Sequence, residues 1–211
     1  VNYKQIDNNI STRKEVVKYI VIHDTGNISK GATSEMHFRY FTSALRDASA
    51  DFFVDSNGVL KVNNYTKFCT WHCGDGSGRY GITNQNSIGI EMCVNADGDY
   101  GLTLKNTIEL VKQLKKEFPS VQIVRHYDAS RKNCPASLNY NNWEGWTKFL
   151  KELEVVELTW KEIIKKVASN PAEWEAGINT AVAAAKADGN LGALEIFQYL
   201  PTLIEKIYNS K

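Results

Sequence analysis

Along the first three-quarters of the chain, short β-branched runs alternate with longer stripes of apolar residues at helical spacing. Residues 17–23, VKYIVIH, are β-branched and aromatic and run into the polar DTGN, which predicts a buried strand ending at a turn. TSEMHFRYFTSALRD at 33–47 has helical spacing through Met36, Tyr40 and Ala44, with Phe41 and Leu45 beside them and Thr33 or Ser34 as the cap. Residues 50–62, ADFFVDSNGVLKV, read as a hairpin turning at Ser56-Asn57-Gly58. SIGIEMCV at 87–94 predicts another strand, and Ile108, Val111, Leu114 and Phe118 stripe one face of a helix over 103–118 that Pro119 stops. VQIVRHYD at 121–128 predicts a further strand, and NWEGWTKFLKEL at 142–153 a closing helix. Strands and helices in alternation, with one early hairpin, point to an α/β domain: a mixed central β-sheet flanked by helices.

The pattern changes near Val155. Trp160, Ile163, Ile164 and Val167 are spaced for a helix, Asn170-Pro171 suits a helix start, and Trp174, Ile178, Val182 and Ala185 continue at helical spacing. Gly189 is a natural stop, and Leu194, Phe197, Leu200, Leu203, Ile204 and Ile207 outline a third segment that Pro201 kinks or restarts. The expected organisation is therefore one larger α/β domain over residues 1–154 and a small C-terminal helical bundle over 155–211. A bundle that small has little core of its own.

Composition narrows the function classes. With 43% apolar and 23% charged residues, the chain matches an ordinary globular protein and not a disordered one. Its 25 basic and 24 acidic residues leave a net charge of +1, so no sequence-independent pull toward nucleic acid is expected. No apolar run approaches the roughly 18–20 residues of a membrane span, so no membrane insertion is expected. The opening VNYKQIDNNISTRKEVV lacks the apolar core of a signal peptide, which predicts synthesis in the cytoplasm. The four cysteines are too few for a disulfide framework and read as thiols or metal ligands. Oligomeric state is left open.

The chemistry centres on two histidines. His23 and His126 each close a predicted strand, and each is followed by an aspartate, Asp24 and Asp128. Cys134 lies eight residues beyond His126, just before Pro135. Side chains at the carboxyl ends of neighbouring strands can converge. Two histidines and one cysteine are three protein ligands, and three with an open position is the signature of catalytic zinc.

At these residues the chain resembles a known family. YIVIHDTGN, followed much later by RHYDASRKNCP, is similar to the zinc-dependent N-acetylmuramoyl-L-alanine amidases of the peptidoglycan-recognition-protein superfamily, which include phage endolysins and bacterial autolysins. ASADFFVDSNG, WHCGDG and SIGIEMC are similar to further segments of that family, and the likeness spans residues 8–150. The resemblance implies zinc on His23, His126 and Cys134, Glu91 as the acidic catalytic residue and Lys132 as the basic residue facing the oxyanion. It implies bacterial peptidoglycan as partner, cleaved between N-acetylmuramic acid and L-alanine, and action on the wall after release, as in a Gram-positive phage endolysin. By position, residues 155–211 would then bind a wall polymer. Some relatives carry a catalytic tyrosine where Ala50 stands here, which makes Glu91 the main candidate base.

These residue types also suit amide hydrolysis on independent grounds. Zinc acidifies a bound water, Glu91 can carry its proton to the leaving nitrogen, and Lys132 offers a charge to the developing oxyanion. Each has a plainer alternative: an edge-strand salt bridge for Glu91, a solvated loop lysine for Lys132. Trp71 and His72 are candidates for lining a substrate groove, and Thr25 and Asn27 for binding substrate beside the first ligand; packing and turn formation are the alternatives. His37 is expected to pack. Cys69-x3-Cys73 lacks the second pair a separate zinc site needs. The rival from another class is a non-catalytic peptidoglycan-binding protein of the same fold, against which the presence of Cys134 argues.

Overall fold

The computed structural model describes residues 2–74 and 77–154, together with Thr180 and Ala183. The chain divides into two units, Val1–Val155 and Val156–Lys211. The helical module expected at 155–211 lies outside the described residues, apart from Thr180 and Ala183.

In the first unit the elements run β1 (Asn2–Tyr3), β2 (Ile10–Thr12), β3 (Tyr19–Asp24), α1 (Ser34–Thr42), β4 (Phe52–Asp55), β5 (Gly58–Lys61), β6 (Phe68–Thr70), β7 (Ser87–Met92), α2 (Tyr100–Glu117), β8 (Gln122–Arg125), α3 (His126–Ser130) and α4 (Glu144–Glu154). Six strands form one mixed sheet in the order β1-β5-β4-β7-β3-β8, and β2 pairs with β6 in a small antiparallel ribbon. The hairpin β4–β5 is antiparallel, whereas β4–β7, β7–β3 and β3–β8 are parallel. This is the expected mixed sheet with helical cover.

Alternation along β3 and β7 decides what each face carries. Ile20 and Ile22 of β3, with Ile88, Ile90 and Met92 of β7 and Phe52 and Val54 of β4, join Leu110, Val111 and Leu114 of α2 and Trp146 and Phe149 of α4 in the main core. Side chains at intervening positions point the other way. Val21, His23, Gly89 and Glu91 therefore share the opposite face. Val21 also packs there in a smaller cluster with Cys73, Ile82 and Ala129. Farther along that face, Phe38 and Phe41 of α1 cover Phe53, Ala50 and Leu60. A one-residue slip of β3 would send His23 into the α2 core, so the apolar pattern also fixes the site.

Two expected elements end differently. The helix from Thr33 stops at Thr42, where the Thr42 and Ser43 hydroxyls bond back to the carbonyls of Phe38 and Tyr40. Its inward side is His37 with Phe38 and Phe41, while Met36, Tyr40 and the later Leu45 are exposed. His37 packs as expected, stacked on Phe53 at 5.6 Å between ring centroids. The strand expected to reach Asp128 ends at Arg125, because the Asp128 carboxylate folds back onto the Arg125 amide (2.9 Å) and guanidinium (2.6 Å). His126 thus opens a short helix and does not close a strand.

Candidate active site and metal centre

Pairing of the central strands brings the candidate residues together. His23 of β3 lies in register with Glu91 of β7, and Ile22 with Arg125 of β8. The next residue after Arg125, His126, is thereby delivered beside His23. Arg131 then adopts a left-handed conformation (φ 70°) that reverses the chain after α3. The returning loop is tied by the Tyr127 amide donating to the Cys134 carbonyl at 2.9 Å. On the β3 side, the Asp24 carboxylate accepts from the Ser137 amide at 2.7 Å, holding the segment just after Cys134. Asp24 and Asp128 therefore fasten the chain around the site. β7 pairs on both sides, with β3 and β4, so Glu91 stands on an interior strand.

One donor atom each from His23, His126 and Cys134 lies within 4.8 Å of the others, and all three residues are buried. The two Nδ1 atoms are 3.0 Å apart, and Cys134 Sγ is 3.8 Å from His23 Nδ1. Tetrahedral zinc with ordinary Zn–N and Zn–S lengths holds such donors about 3.3–3.6 Å apart. Glu91 Oε1 is 4.0 Å from His23 Nδ1, and its Oε2 is buried with no hydrogen-bond partner. An orphaned carboxylate oxygen beside three soft-to-borderline donors is a set that a divalent cation and its water would complete.

The electrostatics agree. Burial, then the neighbouring His126 and His72, hold His23 well below its ordinary pKa, so the imidazole is neutral. Burial, with the Asp24 charge added, pushes Glu91 up to about 8. Burial and the Glu91 carboxyl push the Cys134 thiol up. Neutral imidazoles are ready ligands, whereas the buried thiol needs a cation nearby to ionise.

These residues stand at one cavity of about 290 Å³, lined by His23, Glu91, His126, Lys132, Cys134 and Trp71 among others. Lys132 is otherwise exposed. Trp71 is half-buried, its indole donating to Ser11 Oγ at 2.9 Å. Thr25 lines the same cavity, and its Oγ1 is buried without a partner. Asn27 instead faces the adjoining cavity beside α1 and closes a turn by accepting from the Ser29 amide at 3.1 Å. His72 lines the site cavity, yet it is buried behind His23 with its Nδ1 3.1 Å from His23 Nε2. Where Ala50 stands, the methyl is fully buried under α1.

Residues 13–137 match the N-acetylmuramoyl-L-alanine amidase family, well over half of the chain. The chain belongs to that family. It is similar to the N-acetylmuramoyl-L-alanine amidase CwlH of Bacillus subtilis, 35% identical over 146 residues, covering 68% of this chain and 56% of that one. It is similar to XlyA of the same organism, 35% identical over 133 residues, covering 61% of this chain and 42% of that one. The chain thus spans about half the length of the curated relatives it matches. Among solved structures, the catalytic domain of XlyA superposes with a TM-score of 0.62 at 32% identity, over 72% of this chain and 99% of that one. A mutant endolysin from Bacillus subtilis superposes at 0.64 and 33% identity, over 72% and 97%. The matched span includes His23, Glu91, His126, Lys132 and Cys134.

The fold also exposes a buried acid that the sequence reading passed over. Asp51 is fully buried and accepts from Asn63 Nδ2 (2.6 Å), Thr70 Oγ1 (2.8 Å) and the Gly89 amide (2.8 Å), tying β6 and β7 to the start of β4. An aspartate immediately before an apolar FFV run was the available signal: a charge there is tolerated only with partners.

Proposed function

We propose that residues 1–154 form a zinc-dependent amidase that hydrolyses the bond between the lactyl carboxyl of N-acetylmuramic acid and the L-alanine of the stem peptide. We further propose that the chain acts on the bacterial wall after release, as a phage-type endolysin. The observation that carries this reading is the meeting of His23, His126 and Cys134 with the unpartnered Glu91 oxygen in one cavity of a chain of this family. Zinc bound by those three residues would supply Lewis acidity and bring the pKa of a water down to roughly 7. Glu91 takes the proton of the attacking water and delivers it to the leaving nitrogen. Lys132 holds its ammonium toward the carbonyl oxygen as that oxygen gains charge. Trp71 offers an apolar wall, and Thr25 Oγ1 an unfilled hydrogen-bonding position, to the substrate on either side.

Purified Gram-positive peptidoglycan incubated with the protein should gain free L-alanine amino termini without new reducing sugars. A chelator should stop the release, and added zinc should restore it. Binding to the wall with no new amino termini would favour the non-catalytic relative of this fold.

Lys132→Ala should retain zinc and lose about 10²-fold in kcat, the order seen when one oxyanion donor is removed. Unchanged steady-state kinetics would return Lys132 to an ordinary loop lysine.

For residues 155–211 we propose wall-polymer binding. All the candidate catalytic residues precede Pro135, so a fragment of residues 1–154 should cut soluble muramoyl-peptides at close to the rate of the full chain. It should lyse whole cells less well, because tethering raises the local enzyme concentration. Equal lysis by both forms would contradict the anchoring role. Among the described residues, no helix is long and apolar enough to cross a membrane.

A further inference from the structure

Behind the candidate metal ligands runs a line of hydrogen-bonding groups. His23 Nε2 is 3.1 Å from His72 Nδ1, and His72 Nε2 is 3.1 Å from Ser87 Oγ. The Ser87 hydroxyl in turn donates to the Thr83 carbonyl. All three side chains are buried.

The end of this line sets the direction of every link. A carbonyl oxygen can only accept, so the Ser87 hydroxyl spends its one proton on Thr83. Ser87 Oγ is then left to accept, and His72 must carry its proton on Nε2. A neutral imidazole has one N–H, so His72 Nδ1 holds a lone pair. His23 must therefore donate from Nε2, which leaves its own lone pair on Nδ1. That is the atom 3.0 Å from His126 Nδ1 and 3.8 Å from Cys134 Sγ.

We propose that His72 is a positioning residue for the metal centre: with Ser87 and the Thr83 carbonyl it fixes His23 as the Nε2–H tautomer and aims Nδ1 at the metal. Ligating histidines commonly donate their second nitrogen to an oxygen; here the acceptor is another imidazole, itself held in one tautomer by a backbone carbonyl.

Gly89 makes room for it. A Cβ built on Gly89 would lie 2.6 Å from His72 Cγ and 2.8 Å from its Nδ1. The strand that carries Glu91 thus lacks a side chain at the point where the His72 ring rests on the sheet. The ring itself meets His23 edge-on, at 85° and 5.2 Å between centroids. Its own backbone amide and that of Cys73 both donate to Asn84 Oδ1 at 2.9 Å, which fixes the segment from which the ring projects.

The proposal rests on His23 being a zinc ligand, and its test separates the two. Long-range 1H–15N correlation spectra of the metal-free full chain should show His23 and His72 both protonated on Nε2. A proton on Nδ1 of either residue would overturn the proposal whatever the zinc content. In chelator competition, His72→Leu should weaken zinc binding about 10–100-fold, the usual cost of losing such an outer partner. His72→Asn should restore it to within a few-fold, because Asn Oδ1 stands near the place of Nδ1 and can accept from His23. Undiminished zinc affinity in His72→Leu, or an asparagine variant no better than the leucine one, would also overturn it. Should His72→Leu not fold, Ser87→Ala removes the directing hydroxyl while keeping the ring. It should shift the His72 Nε2–H resonance and lower zinc affinity severalfold, and an unmoved resonance with undiminished affinity would count against the relay. If the wild-type chain binds no zinc at all, the reading of the metal centre fails, and the tautomers remain readable.

Discussion

Replacing Cys134 by serine is expected to remove tightly held zinc and, with it, roughly 10³-fold or more of the amidase rate. The wild-type chain should hold about one zinc, from three converging protein ligands. Cys134 is the only one of the three that must ionise to bind. Its burial and the adjacent Glu91 carboxyl both resist that ionisation, so the thiolate forms only when a cation offsets them. A serine hydroxyl in the same place does not ionise near neutral pH, and the shorter C–O bond leaves it farther from the other two donors. The fold should survive, because the segment is tied by the Tyr127 amide donating to the Cys134 carbonyl and the Ser137 amide donating to the Asp24 carboxylate, both of which serine leaves intact. His37→Ala provides the contrast: that histidine stacks on Phe53 beneath α1 and should cost stability without costing zinc. Metal analysis by mass spectrometry, with chelator competition and turnover on soluble muramoyl-peptides, reads all three outcomes. A serine variant that keeps one zinc and full rate would place the metal elsewhere.

How far the site was legible in the sequence depends on how local each signal is. VKYIVIH and SIGIEMC announce their strands because both faces of β3 and β7 are buried, and the residues at their ends carry the chemistry. RHYDASRKNCP announces its pair of candidate ligands because they lie close together in the chain. The helical start at His126 was hidden, since it turns on a side-chain bond from Asp128 that no periodicity records. β2 and β6 were hidden for a different reason: three residues such as Phe68-Cys69-Thr70 are too short to show alternation. The extent of α1 was overstated because Ala44 and Leu45 keep the helical spacing after Thr42 and Ser43 have already turned their hydroxyls onto the helix carbonyls. The place of His72 was the least legible. Its two partners lie 49 and 15 residues away in the chain, and only the pairing of β3 with β7 makes them neighbours.

Glu91→Gln is expected to keep zinc and fold and to lose about 10²–10⁴ in kcat, the range that a positioned acid–base group contributes. Glutamine matches glutamate in shape, so β7 can stay paired with β3 and β4. The substitution also spares the packing, because Glu91 Oε2 has no hydrogen-bond partner to lose. What disappears is the ability to hold a proton. Burial, reinforced by Asp24, places the Glu91 carboxyl near a pKa of about 8 in the metal-free chain, so it accepts a proton far more readily than an exposed glutamate. A bound dication would draw that value downward, and the two pulls together bring it toward the range in which a group can both take and return a proton. Glutamine can do neither. The loss should therefore fall on kcat with little change in KM, since the water and leaving nitrogen are handled after the substrate has bound. Thermal unfolding of the metal-free variant should occur at no lower a temperature than wild type, because the change removes a buried carboxyl that burial already disfavours as an anion. Near-normal kcat in a zinc-loaded Glu91→Gln protein would assign proton transfer to another group in the cavity, and Lys132 would then be the next residue to replace.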